Sequence, residues 1–148
     1  MMRKFLPPAY FWLGILFIIL IYFSLPFFRV IHYPFTLLGI PLIALGIFLN
    51  WWSDKLFKEY KTTVKPDEKP SRLITGGPFK ISRNPMYLGM LLMLLGLSVL
   101  SGNLIGFISP IIFCILINKL FIPPEEKNME KEFEKKYLKY KNKVRRWI

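Results

Sequence analysis

PMYLGMLLMLLGLSVLSGNLIGFISPIIFCILIN, residues 85–118, runs for 34 positions without an Asp, Glu, Lys or Arg. One bilayer crossing needs about 20 apolar residues, so this stretch is too long for a single comfortable span and too apolar for a solvated loop. Ser101-Gly102-Asn103 in its middle is a turn signal. The stretch therefore predicts a helical hairpin whose arms are Pro85–Leu100 and Leu104–Ile122. The first arm, 16 residues long, is short for a hydrocarbon core of about 30 Å, which puts the hairpin tip near the far interface.

Outward from the hairpin, Phe5–Phe28 and Val30–Ser53 are also free of formal charge. With 53% hydrophobic and 20% charged residues and a mean hydropathy of +0.38, the chain reads as an all-α integral membrane protein. Four transmembrane helices are expected, at about 9–28, 34–52, 85–100 and 104–122. Arg3 and Lys4 before the first run raise a cleaved leader as a competing reading. That run is longer than a signal core of about 7–15 residues and lacks a small-residue cleavage site, so it is read as a true span.

The 21 Lys and Arg residues are distributed unevenly. Two precede the first span, Arg29 alone follows it, eight lie from Lys55 to Arg83, none at 101–103, and ten from Lys119 onward. The positive-inside rule puts both termini and the loop 53–84 in the cytoplasm, giving a multi-pass protein. The net charge of +12 is explained by this flanking role beside anionic headgroups, so nucleic acid is not expected as a partner. Cys114 has no partner for an intrachain disulfide, and with His32 as the sole histidine no metal site is expected. No strand precedes Gly76-Gly77, which excludes a soluble dinucleotide-binding turn.

Two segments lie outside the spans. The loop 53–84 contains Pro66, Pro70, Gly76, Gly77 and Pro78 and offers only a short helix around Asp54–Tyr60. In the tail 123–148, Met129, Phe133, Tyr137, Tyr140, Val144 and Trp147 recur at helical spacing, predicting one amphipathic cytoplasmic helix that lies on the membrane or covers the loop. Pro123 and Pro124 are expected to end the fourth span and open this helix, with Glu125 and Glu126 in its first turn, where carboxylates suit the positive end of the macrodipole. Asn84-Pro85 reads as the cap and first position of the third span. The hairpin returns Glu125 to the face where Asn84 begins, so the two are expected to be neighbours.

LITGGPFKISRNPMYLG, followed after the hairpin by EEKNMEKEFEKKYLKYKNKVRRWI, resembles the isoprenylcysteine carboxyl methyltransferase family, with the related phospholipid methyltransferases behind it. The likeness covers about residues 62–148; the first two spans are generic. It implies one methyltransferase domain over 1–148 with S-adenosylmethionine as methyl donor, bound between the loop, the start of the third span and the first turn of the tail. Carried across, Ser71, Arg72, Leu73 and Ile74 border the donor, Gly77 and Phe79 follow, and Asn84, Pro85, Met86 and Tyr87 fill the family's His-Pro-x-Tyr motif. Glu125 matches the first acid of the donor-binding Glu pair, and Arg83, Asn84 and Tyr87 are the catalytic candidates. Two positions depart from the pattern. Asn84 replaces a His, so the site has no histidine base, and Phe121 stands where the eukaryotic enzymes carry a substrate-contacting Arg. Asn118, Lys119, Arg145 and Arg146 are the candidate substrate contacts in its place.

The implied chemistry suits these residues. Tyr87 and Phe79 facing a sulfonium would each contribute about 0.5–2 kcal/mol of cation–π attraction. Transfer of a methyl group needs positioning and exclusion of water rather than a covalent enzyme intermediate. A carboxylate is ionised at neutral pH without help from a base, which favours O-methylation of a lipid-like or prenylated acceptor. Other readings are N-methylation of an amine or phospholipid headgroup, an NADPH-dependent membrane reductase resembling the sterol reductases, and a non-catalytic lipid-binding membrane protein.

Overall fold

Where the chain is described, in residues 6–62 and 70–148 of a computed structural model, the regular structure is helical. Arg3 and Lys4, read as the basic flank of the first span, and Pro66 of the loop lie outside the described residues. The long elements are α1 (Pro7–Ser24), α2 (Gly39–Glu59), α3 (Pro85–Ser101), α4 (Ile108–Leu116) and α5 (Ile122–Lys143). By length and composition, Pro7–Ser24, Phe35–Glu59 and the continuous run Leu104–Lys143 are apolar enough to cross a membrane, while Pro85–Ser101 is apolar but shorter. Their outward faces are rich in exposed Leu, Ile, Phe and Trp, as lipid contact requires.

α2 and α3 approach most closely, through two pairs of glycines. A Cβ on Gly46 would lie 2.5 Å from the Gly89 carbonyl oxygen, and one on Gly96 2.6 Å from that of Gly39. Small residues let helix backbones meet without the water-driven burial that holds soluble cores together. The polar residues of this region are satisfied locally: Ser53 donates to the Leu49 carbonyl at 2.7 Å and Asn50 to that of Gly46 at 3.0 Å. A second contact surface joins Phe11 and Ile18 of α1 to Leu94 of α3 and to Phe113, Ile117, Phe121 and Ile122.

The hairpin turn forms where Ser101-Gly102-Asn103 predicted it. Gly102 caps α3 at φ 69°, a conformation that costs glycine little. Asn103, wholly buried, accepts from the Ile105 amide at 2.9 Å and donates to the Leu25 carbonyl at 2.7 Å. The Val30 and Ile31 amides donate to the Gly102 carbonyl, at 2.9 and 3.1 Å. These bonds tie the hairpin tip to the α1–α2 connection, so loop 70–84 and the tail gather at the other end.

Three boundaries differ from expectation. The helix near Asp54–Tyr60 is the last part of α2, because no breaker interrupts it and the pairs Asp54–Lys58 at 2.5 Å and Lys55–Glu59 at 3.8 Å support its final turns. Pro123 and Pro124 do not break the chain's helical path. Residues 117–121 widen into a π-turn, and the two prolines, which cannot donate backward, fall in the first turn of α5. The tail, in turn, is not one straight helix. At Glu134 the backbone turns to φ 42°, ψ −121°, and the later part of α5 folds back. In a straight helix residues 126 and 141 would lie about 22 Å apart at about 1.5 Å per residue, yet Lys141 Nζ is 3.8 Å from Glu126. The reason is tertiary: Tyr137 and Tyr140 bury themselves against Ile74 and Phe79 of the loop, with Met129, Phe133 and Val144 around them. The apolar stripe covers the loop, as one of the two expected placements had it.

Candidate functional site

The segment leading into α3 is built by its bonds to the chain's last residues. Gly77, at φ 57°, starts a tight turn over Gly77–Lys80 against Trp52 and Leu56 of α2. The turn buries Phe79, whose carbonyl accepts from the Tyr140 hydroxyl at 2.6 Å. Next, the Arg83 amide donates to the Arg145 carbonyl at 3.0 Å, and the Ser82 hydroxyl donates to that of Arg146 at 3.2 Å. Asn84 holds the N-cap position of α3, but its side chain makes no cap bond; Nδ2 donates to the Arg146 carbonyl at 3.1 Å. Pro85 then occupies the first helical position, where a missing N–H costs nothing.

One turn into α3, the Tyr87 hydroxyl donates to Glu125 Oε1 at 2.6 Å. This bond spans 38 positions of sequence and joins the two stretches that the hairpin was expected to bring together. Glu126, the next residue, turns to the buried side. Arg146 grips it in a fork, Nε at 3.2 Å and Nη2 at 2.8 Å, and Lys141 adds a longer contact at 3.8 Å. Arg83 Nη1 also lies 3.2 Å from Glu126 Oε1, but the angle makes no hydrogen bond. Burial pushes the Tyr137 hydroxyl up to about 12, reinforced by the negative charge of Glu126 and opposed by Arg83. Burial also raises Tyr140, further than Tyr137.

These elements enclose a cavity of about 320 Å³. Of the residues expected at a site, Arg72, Ile74, Phe79, Arg83, Asn84, Pro85, Met86, Tyr87 and Glu125 line it. Ser71, Leu73 and Gly77 do not. Ser71 bonds the end of α2 through Thr62 and Lys61, Leu73 packs beside Ile74, and Gly77 forms the turn. The four substrate candidates also lie off the cavity wall. Asn118 accepts from Arg146 Nη1 at 3.4 Å and Trp147 Nε1 at 3.2 Å, Arg146 holds Glu126, and Lys119 and Arg145 face outward.

Sequence reasoning missed several wall residues. Tyr137 and Tyr140, read as packing, also line the cavity, and the start of α1 contributes Pro7 and Pro8 with Leu6 just before it. Nothing in a generic apolar span signals the α1 contribution. Glu126, read as a helix-end charge, is the centre of an ion cluster whose members sit at 83, 141 and 146. Among the described residues no group of His, Cys, Asp and Glu could hold a metal ion.

A family model described as phospholipid methyltransferase matches residues 34–136, from the turn before α2 into the bend of α5. A relative from Haemophilus influenzae, called an uncharacterized protein, is 43% identical over 63 residues, which is 43% of this chain and 100% of that one.

Proposed function

Because the chain belongs to the phospholipid methyltransferase family of membrane enzymes, we propose that it moves a methyl group from S-adenosylmethionine to a carboxylate on a lipid-like acceptor. The observation that carries this reading is the 2.6 Å bond between Tyr87 and Glu125 in the wall of a cavity that Asn84 also lines. Two stretches far apart in sequence, each resembling a donor-binding motif of the family, thereby meet at one cavity. The distribution of Lys and Arg supports a cytoplasmic position for it.

The residues present suit the donor. The cavity volume falls within the roughly 300–1,000 Å³ of small-molecule sites. A sulfonium and an ammonium group would find the Glu125 carboxylate and the aromatic rings of Tyr87 and Phe79. Two buried nitrogens of Arg83, Nε and Nη1, make no hydrogen bond within the protein and would suit an anionic end. When bound, the donor supplies an electrophilic methyl group.

The chain's own residues supply position and dryness. Glu125, oriented by Tyr87, holds positive charge at the cavity wall. Leu6, Pro7, Pro8 and Met90 line it with apolar surface that excludes water and suits a lipid tail. Asn84 spends Nδ2 on the Arg146 carbonyl and leaves Oδ1 as an acceptor. An amide takes no proton at neutral pH, so this position selects a nucleophile that is already deprotonated, as a carboxylate is. The description of the matched family favours a second reading, an amine headgroup as acceptor; its ammonium would first lose a proton, with Glu125 as a wall carboxylate outside the Arg146 fork to accept it.

Isothermal titration of the detergent-solubilised protein with S-adenosylmethionine, its demethylated product and NADPH tests the donor. Transfer of labelled methyl groups to membrane extracts tests the acceptor. Glu125→Gln is expected to weaken donor binding by about tenfold or more, since hydrogen bonds to a charged group contribute about 1.5–3 kcal/mol. An unchanged Kd with unchanged helicity would remove the site.

A further inference from the structure

Arg83 stands out once the ion cluster is counted group by group. Its side chain is only 9% exposed, it lines the cavity, and both Nε and Nη1 are buried without a hydrogen bond. Buried donors on a charged group are costly to leave unbonded, and proteins rarely do so. Glu126 does not meet the need. Its two oxygens are already taken in a fork by Arg146, with Lys141 nearby, and Arg83 approaches only at an angle that makes no bond. Lys141 is itself paired with Glu130 at 2.5 Å. The cluster therefore holds three cations, Arg83, Lys141 and Arg146, against two carboxylates. Arg83 shares the charge of Glu126 at 3.2 Å, yet its buried Nε and Nη1 donors stay unbonded, and its guanidinium fork matches a carboxylate in shape as well as sign.

We propose that Arg83 is the carboxylate clamp of the cavity, gripping through its unbonded nitrogens a carboxylate carried by a bound ligand. This rests on the methyltransferase reading for the identity of the ligand. Two sources share the chemistry: the amino-acid end of the methyl donor and the acidic head of a lipid acceptor. Glu125, also on the wall, would face the cationic part of the same donor, so one zwitterion would meet both charges.

The test is titration of the solubilised wild type, Arg83→Gln and Arg83→Lys with four probes. S-adenosylhomocysteine carries the amino-acid carboxylate and 5′-methylthioadenosine lacks it; oleate carries an acidic head and oleamide does not. If Arg83 holds the donor's carboxylate, Arg83→Gln weakens S-adenosylhomocysteine at least tenfold and leaves 5′-methylthioadenosine unchanged. If it holds the acceptor's, both nucleosides are unchanged and the preference for oleate over oleamide disappears. In either case Arg83→Lys, which keeps the charge and loses the fork, retains part of the affinity. The carboxylate-free probes report on an intact cavity, so a misfolded variant would be recognised by losing all four. The clamp is overturned if Arg83→Gln alters no probe, or weakens each carboxylate and its neutral partner equally. A wild type that binds neither nucleoside sinks the donor reading instead, and the clamp then stands or falls on the oleate arm; no binding of any probe overturns both.

Discussion

Asn84, Tyr87 and Glu125 were legible as single residues because each sits in a short motif, with Asn84 standing where that motif has a His. Glu126 was not, although it is 7% exposed and central to the joint between loop and tail; its partners at 83, 141 and 146 meet it only after α5 bends. The same is true of Tyr137, whose helical spacing signalled burial but not the charges it would meet. Its raised pKa has a defined consequence. A hydroxyl that titrates near 10 in the unfolded chain and at about 12 when folded contributes stability that is complete below pH 10 and is lost as pH rises toward 12. Tyr137→Phe is accordingly expected to resist alkaline loosening of the tail, seen as a smaller fall in melting temperature between pH 9 and about 12. An identical fall in both proteins would show that Tyr137 does not drive it. Tyr140 is the less informative position, because Tyr140→Phe also removes the bond to the Phe79 carbonyl.

At the scale of elements, the glycine pairs decide how α2 and α3 meet. A side chain at Gly89 would start 2.1 Å from Asn50 Nδ2 and 2.7 Å from the Gly46 carbonyl oxygen. Gly89→Leu is therefore expected to cost at least the 1–3 kcal/mol or so of an overpacked core and to lower the melting temperature in detergent. Gly76→Ala, with nothing within 4 Å of the added carbon, is the control and should melt like the wild type. The bend of α5 offers a second test. Glu134 at φ 42°, ψ −121° adopts a conformation that costs a non-glycine residue about 1–3 kcal/mol. Glu134→Gly should leave residues 135–143 better protected from hydrogen exchange than Glu134→Ala does; the reverse order would argue against the bend. Sequence periodicity found this element and its buried face. It could not find the bend, because a stripe at helical spacing is the same whether the helix continues straight or turns back on its partner.

For the whole molecule, the charge distribution and the bonds between hairpin tip and α1–α2 connection make one prediction about the membrane. In a Cys114→Ala background, single cysteines at Leu104 and Lys143 should react with an impermeant maleimide from opposite sides of oriented vesicles. Labelling from one side only would mean that the second arm of the hairpin does not cross. Such an arrangement gives the cavity its setting, with apolar walls from α1 and α3 beside polar groups from the loop and tail.

The sequence by itself determined the membrane class, the hairpin and its turn, and the return of Glu125 to the end where Asn84 and Tyr87 lie, because charge-free run length, a glycine at a left-handed turn and helix periodicity are properties of contiguous residues. Only the tertiary structure decided that α5 doubles back, that Glu126 is held by Arg146 and Lys141, that α1 closes one wall, and that Arg83 is left with buried, unbonded nitrogens. Those outcomes depend on which surfaces meet once the helices pack, and contact across distant segments leaves no local pattern in the chain.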